Sequence, residues 1–336
     1  MSNLDRLFEQ FYSQALDETF KAVGPVERKL MLKMSLLNLL GDFSSLEEGK
    51  VLSEPQIIEK KDFGDYTREL LILPITDVLD FKIYVLTPKS EQDAFPAVLA
   101  LHGHGYGVKE IVGLTEAGEE DEQPSGIHQH FAIKLVKKGL KVFAPEVIGF
   151  GERMLTRDIE QGKKNSCESM ATSLLMEGKT LAGLRVWEAR QVLDFIETRE
   201  DVIPEKVGMM GFSGGALVTA YTAALDLRVK ATVLTGFTNT FKGSIMAMRH
   251  CIDNYIPGIL NYAELPEWIS LITPRGLFIE AGVNDPIFPN KYVLEAVASL
   301  EESYQNRPEK FSYDIFEGAH EISGQKAYDW LKNQLV

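Results

Sequence analysis

Apolar residues recur at helical spacing through the first forty positions, and then the rhythm changes. Leu4, Leu7, Phe8, Phe11, Tyr12 and Leu16 fall on one face of a helix predicted over 3–20. Pro25 opens a second helix through Leu30, Leu32, Met34, Leu36, Leu37 and Leu40, and Gly41 closes it. These helices precede any strand signal. They form an N-terminal helical extension over 1–50, placed either as a cover on one end of the main domain or as a dimer contact. From Gln56 to Pro88 the period shortens. Ile57–Lys60, Arg68–Leu73 and Phe81–Leu86 read as short antiparallel strands. Pro96–Leu101 is continuously apolar, as a strand buried on both faces should be.

Beyond Leu101 strands and helices alternate. Lys141–Ala144, Val207–Gly211, Lys230–Thr235, Gly276–Ala281 and Phe311–Phe316 are the predicted strands. Leu174–Glu200, Ala216–Asp226, Asn290–Glu302 and Gly324–Leu335 are the predicted helices. Alternation of this kind implies an α/β domain over 51–336, with a mainly parallel sheet covered by helices on both faces. Three excursions interrupt it, at about 105–126, 154–173 and 239–270. Inserts like these shape pockets at a sheet edge.

Composition narrows the function. The chain has 336 residues, 45% of them hydrophobic, and a net charge of −14. Such acidity disfavours nucleic acid and anionic membrane surfaces, which select basic stripes. The first residues carry acids where a secretory signal needs basic ones, and no apolar run approaches the roughly 18 residues of a membrane span. A cytoplasmic chain is the expectation. The two cysteines, Cys167 and Cys251, lie far apart in sequence and match no metal spacing. They read as free thiols of a reducing compartment, with a single bridge left open.

The candidate chemistry centres on Gly211-Phe212-Ser213-Gly214-Gly215, a G-x-S-x-G pattern between a predicted strand and a predicted helix. The tight turn lifts the Ser213 hydroxyl above the sheet, and the helix behind it points amides at any anion formed there. A serine hydroxyl needs a base, and the base needs an orienting acid. Asp285 leaves the strand Gly276–Ala281, and His320 follows the strand ending at Phe316. Open α/β sheets place functional groups at that edge. Asn284, Glu317 and Glu321 are the neighbouring substitutes. Oxyanion donors are expected from the Gly214 amide and from the His104 amide in His102-Gly103-His104-Gly105, with the His102 ring ordering the loop. The excursion 239–270 is expected to overhang Ser213 and to supply Met246, Met248 and Tyr255 to an acyl pocket.

Taken together, Leu101-His-Gly-His-Gly105, Gly211–Gly215, Gly282-Val-Asn-Asp-Pro286 and Gly318-Ala-His320 resemble an α/β-hydrolase over about 55–336. The resemblance is to the dienelactone hydrolase, acetyl xylan esterase and prolyl-oligopeptidase-related group. It implies a serine hydrolase working without metal or organic cofactor on a small-molecule ester. Amides and peptides stay open as substrates, as does a homo-oligomer. Dienelactone hydrolases proper use cysteine where this chain has Ser213, so their lactone substrate is not implied. Two rivals stand beside this reading. The pairs His102-x-His104 and His128-x-His130 have zinc-binding spacing, although only the acidic stretch Glu119–Glu122 offers further ligands. His128 and His130 are themselves expected at the start of a helix, as polar surface or pocket rim. A noncatalytic binding protein of the same fold needs a broken triad, and all three members are present.

Overall fold

A computed structural model describes residues 2–15, 23–51, 54–123 and 126–336. The expected first helix is α1, Asn3–Ala15; its continuation over 16–20 lies outside the described residues. Next come α2 (Pro25–Leu40) and α3 (Ser44–Glu48), followed by β1 (Gln56–Asp62), β2 (Tyr66–Pro74), β3 (Asp80–Pro88) and β4 (Phe95–Leu101). Then follow α4 (Phe131–Lys137), β5 (Lys141–Pro145), α5 (Thr156–Glu160), α6 (Cys167–Met176), α7 (Leu181–Glu197) and β6 (Val202–Phe212). The chain continues through α8 (Gly214–Leu225), β7 (Val229–Thr235), α9 (Leu265–Ser270), β8 (Gly276–Gly282), α10 (Asn290–Ser303), β9 (Phe311–Phe316) and α11 (Ala327–Leu335).

Among the described residues nine strands join one sheet in the order β1-β2-β3-β5-β4-β6-β7-β8-β9. The pairs β1–β2, β2–β3 and β3–β5 are antiparallel, and every pair from β5–β4 to β8–β9 is parallel. Burial follows this division. β4, β5 and β8 are buried at every position, as strands covered on both faces must be, whereas β1 at the antiparallel edge is exposed throughout. One face carries a core that includes Leu36 of α2, Val192 of α7, Leu217 of α8 and Trp268 of α9. The other packs Leu135 of α4 and Leu331 of α11 against Val98, Met210 and Val233. β4, β6, β7, β8 and β9 therefore deliver their carboxyl ends to one edge.

The two N-terminal helices differ in how they meet the main domain. Leu32, Leu36 and Leu40 of α2 are buried in the core, so α2 is a cover. α1 buries no side chain; Tyr12 donates to Glu264 at 3.0 Å, and Leu4, Phe8 and Phe11 stay exposed. The helix expected over 174–200 is two helices. Gly178, in the left-handed region at φ +70°, ends α6, and the Thr180 hydroxyl accepts from the Gly183 amide to start α7. α4 is the helix expected to start at His128 and His130, with His130 as its N-cap; at seven residues it is too short for a clear helical period of its own.

Candidate active site

β6 runs to Phe212 and α8 starts at Gly214, so Ser213 alone makes the turn. It does so at φ 53°, ψ −119°, a backbone position that side chains resist. The strain is held from both sides. The Ser213 amide donates to Thr235 O at 2.8 Å, and Ser213 O accepts from Ala216 N at 2.9 Å. A Cβ on Gly211 would collide with the Gly215 carbonyl, and one on Gly215 would collide with the Leu101 carbonyl. These contacts explain why the positions two before and two after the serine are glycine.

His320 Nε2 lies 2.9 Å from Ser213 Oγ, and His320 Nδ1 lies 2.7 Å from Asp285 Oδ2. Asp285 is fixed in turn, because its other oxygen accepts from the amides of Ile287 at 2.9 Å and Phe288 at 3.0 Å. With Nδ1–H directed at Asp285, Nε2 presents a lone pair to the serine hydroxyl. Phe212 and Phe288 lie against the imidazole, with ring centroids 4.9 and 5.7 Å from its own. Among the described residues, none of the neighbouring substitutes is hydrogen-bonded to the His320 ring. Glu321 accepts from Ala319 N, the Asn284 amide is bonded to Gly318 O, and Glu317 is exposed. Beneath Asp285, the buried Glu280 of β8 accepts from Thr235 Oγ1 at 3.0 Å and from the Gly324 amide at 2.7 Å. It thereby ties the loop after His320 to β7. Burial pushes the Glu280 carboxyl up to about 7.

The loop after β4 is held by histidines whose ring nitrogens are already engaged. The Gly103 amide donates to His128 Nε2 at 3.0 Å, and His128 Nδ1 meets Glu110 at 2.7 Å. Burial depresses the His128 pKa in spite of Glu110, which keeps Nε2 an acceptor. His102 accepts from Val147 N at 3.0 Å, and His130 meets Asp121 at 3.1 Å. The two His-x-His pairs thus do not converge on one metal site: the rings of His102, His128 and His130 each hold a backbone amide or a carboxylate of their own, and the His104 ring turns away from them toward Cys167. The expected surface position of His128 and His130 is also corrected. Both are buried, because the excursion from 105 to 123 folds over them, and His128 packs edge-on against Phe212. The Gly103 amide is bonded to His128 and the Tyr106 amide to Glu110, whereas among the described residues no acceptor is found for the His104 amide. Gly214 and Gly215 open α8, where amides have no intrahelical acceptor.

The His104 ring points the other way, into a buried polar cluster that sequence spacing did not reveal. Its Nε2 is 3.9 Å from Cys167 Sγ. Arg185, buried on α7, donates to Cys167 Sγ at 3.2 Å and to Asp253, and Asn254 Nδ2 donates to Asp253 Oδ1 at 2.8 Å. Cys251 is hydrogen-bonded to Cys167; the two cysteines, distant in sequence, are neighbours in space and free. That bond and the Arg185 charge hold the Cys167 thiol well below its usual range, while the same bond and burial raise Cys251. Burial alone would lower the His104 pKa, but its hydrogen bond to Cys167 and the Asp253 charge outweigh it and the net shift is upward.

A cavity of about 210 Å³ opens above Ser213 and His320, between Ile127, Ile287 and Phe288 on one side and Arg249, His250, Cys251 and Asn254 on the other. A groove of about 500 Å³ between α2, α3 and α7 is larger, but none of the groups above lines it. The excursion after β7 does overhang the serine, through residues 249–254 and not through those expected. Met246 and Tyr255 are largely exposed, Met248 is half-buried, and none of the three lines the cavity. The turn around 246 faces Met246 outward, and the Tyr255 hydroxyl is drawn back to Ile245 O at 3.2 Å.

The family model described as "Abhydrolase family" matches residues 48–293. The chain belongs to this family. Its sheet order, helix layers and serine turn are those of the α/β-hydrolase fold, as the motifs led one to expect. Among curated proteins, "Putative hydrolase YtaP" of Bacillus subtilis (strain 168) is 28% identical over 294 residues, which is 85% of this chain and 91% of that one. Among solved structures, a "putative acetyl xylan esterase" of Bacteroides fragilis NCTC 9343 superposes with a TM-score of 0.79 at 15% identity, covering 100% of this chain and 95% of the other. A glucuronoyl esterase from Solibacter usitatus gives a TM-score of 0.62 at 14% identity, covering 90% and 92%. Among the described residues no helix is long and apolar enough to cross a membrane.

Proposed function

We propose that this family member hydrolyses carboxylic esters of small molecules through an acyl-enzyme on Ser213. The observation that carries the reading is the unbroken hydrogen-bond chain from Ser213 Oγ through His320 to Asp285. In this scheme Ser213 Oγ attacks the acyl carbon while His320 Nε2 takes its proton. Asp285 holds the ring and stabilises the imidazolium, and the Gly214 and His104 amides receive the oxyanion. His320 then protonates the leaving alcohol, and water, deprotonated by the same nitrogen, releases the acid. No step needs a metal or an organic cofactor.

The esterase names of the structural relatives favour esters over amides. The cavity volume of about 210 Å³ lies below the ~300–1,000 Å³ of drug-sized sites, which suits a short acyl group. The net charge of −14 supports neither nucleic acid nor an anionic membrane as partner, and two unpaired cysteines fit the cytoplasm.

The test is Ser213→Ala, assayed on chromogenic esters of graded acyl length beside an aminoacyl amide series. Turnover is expected to fall by several powers of ten, and labelling by a fluorophosphonate to vanish, with the thermal melt unchanged. Near-wild-type turnover in that variant would end the serine reading, and a preference for the amides would move the assignment to a peptidase.

A further inference from the structure

The cluster behind the His104 loop has the composition of a metal centre. We propose that His104, Cys167, Cys251 and Asp253 bind one thiophilic divalent cation, of which zinc is the type, as a structural ion beside the ester site. Each residue offers one ligand atom, and the four atoms all lie within 4.8 Å of one another. Two sulfurs, one imidazole nitrogen and one carboxylate oxygen make a tetrahedral donor set of the kind zinc prefers. Bond lengths of about 2.0–2.3 Å are reached by drawing these atoms inward by less than the length of one bond.

Charge balance points the same way. Arg185 and Asp253 are both fully buried and cancel each other. A divalent ion that displaces the two thiol protons as it binds is then matched by the two thiolates it forms, so the occupied site is neutral. The surroundings also resemble the outer shell of a metal site, where ligands are oriented by further hydrogen bonds. Arg185 donates to both Cys167 Sγ and Asp253 Oδ2, and Asn254 donates to Asp253 Oδ1. An ion has a way in, because His104 and Cys251 are partly exposed and line the cavity that holds Ser213.

The ligands come from three separate segments: the loop after β4, the first residue of α6, and the excursion after β7. The ion staples these segments together. Four protein ligands leave no position for water, so its part is to position the loop carrying the His104 amide and not to activate a nucleophile. Binding does not depend on the ester-hydrolase reading and is measured without substrate.

The experiment uses the full chain, reduced and stripped of metal, titrated with Zn²⁺ alone by calorimetry and by competition with a chromophoric chelator. One ion per chain is expected, with protection of both Cys167 and Cys251 from alkylation in the wild-type protein. Cobalt in place of zinc is expected to give the absorption of a tetrahedral thiolate site. Cys251→Ser, at a partly exposed position, and Asp253→Asn are each expected to weaken zinc binding by at least ~10–100-fold. Sub-stoichiometric binding to the folded, reduced wild-type chain would overturn the proposal, and so would an affinity unchanged by Cys251→Ser. If zinc leaves both thiols open to alkylation and mild oxidation joins them in a disulfide, the cluster is a redox pair and the metal proposal fails. Alkylation protection and the cobalt spectrum need no variant, so a misfolded substitution does not decide the outcome.

Discussion

Two walls of one cavity hold their polar groups in different ways. On the first, Ser213, His320 and Asp285 stand on the ends of β6, β9 and β8, each a step beyond a strand the sheet already fixes. Their bonds to one another leave one function spare, the serine hydroxyl facing the cavity. On the second, Arg185, Asp253, Cys167, Cys251 and His104 come from α7, the excursion after β7, the start of α6 and the loop after β4. They direct their charges at one another in a dry interior. The first wall is arranged for events that occur only when a substrate arrives. The second is arranged so that the fold tolerates charges it has buried. Substitutions on the first should therefore change rate with little effect on stability, and those on the second should do the reverse.

The largest effect expected is Asp285→Asn. The amide keeps an oxygen for the Ile287 and Phe288 N–H groups, so the loop survives. Its NH₂ then faces His320 Nδ1, which must present a lone pair and move its proton to Nε2. That tautomer cannot accept from Ser213. A fall in kcat of about 10⁴-fold follows, with an unchanged urea midpoint. A stability loss equal to that of a core variant, or collapse in Glu321→Gln instead, would show that the first wall is misassigned.

Arg185→Met is the matching change on the second wall. It leaves Asp253 buried without its partner, and breaking a buried pair from one side costs about 3–5 kcal/mol. Urea denaturation of the reduced, metal-free protein reads this directly. A loss below about 1 kcal/mol would mean that the cluster is neutral in the fold, and the contrast between the walls would fail.

The same contrast explains what could be read from the sequence. The strands of the sheet were legible because a strand buried on both faces is a continuous apolar run, as in Pro96–Leu101 and Gly276–Ala281. The first wall was legible because sheet geometry forces its residues to follow such runs. The serine turn also demands Gly211 and Gly215, which mark it. The second wall has no such constraint. Cys167 and Cys251 are 84 positions apart (251 − 167), and nothing in the intervening sequence dictates that α6 and the excursion after β7 meet. His104 was read for its backbone because glycines flank it; its ring direction is a matter of packing. Met246, Met248 and Tyr255 suit an acyl pocket by composition, but composition does not say which side of an irregular turn faces the serine.

Glu280 offers a finer comparison, because it is a buried acid on the first wall that behaves as if it belonged to the second. Its folded pKa of about 7 is above the ordinary 4.5, so the native state holds a proton that the unfolded chain has released between those values. Stability from this group is therefore full below about pH 4.5 and lost as pH rises toward 7. Glu280→Gln imitates the protonated form, since its NH₂ can donate to Thr235 Oγ1 and its oxygen can accept from Gly324 N. Relative to the wild type, the melting temperature of the variant should rise from pH 5 to about pH 7 and level off above it. Parallel profiles would mean that the carboxyl is not held neutral by burial.

The smallest effect belongs to the mouth of the cavity, where the two walls meet. Arg249 is exposed and lines the cavity, and among the described residues no ion pair or hydrogen bond is found for its guanidinium. It is thus a cation not committed to the cluster behind it, and its field reaches a substrate entering toward Ser213. An exposed pair contributes about 0.2–1 kcal/mol, so an ester bearing a carboxylate should lose up to about 5-fold in kcat/KM in Arg249→Ala. Its neutral counterpart should be unaffected. The loss should shrink as salt rises, because a charge pair at an open mouth is screened within about 8–10 Å at physiological ionic strength. An equal loss for charged and neutral esters would show that Arg249 shapes the cavity wall by packing its aliphatic stem, and the mouth would then belong with the second wall.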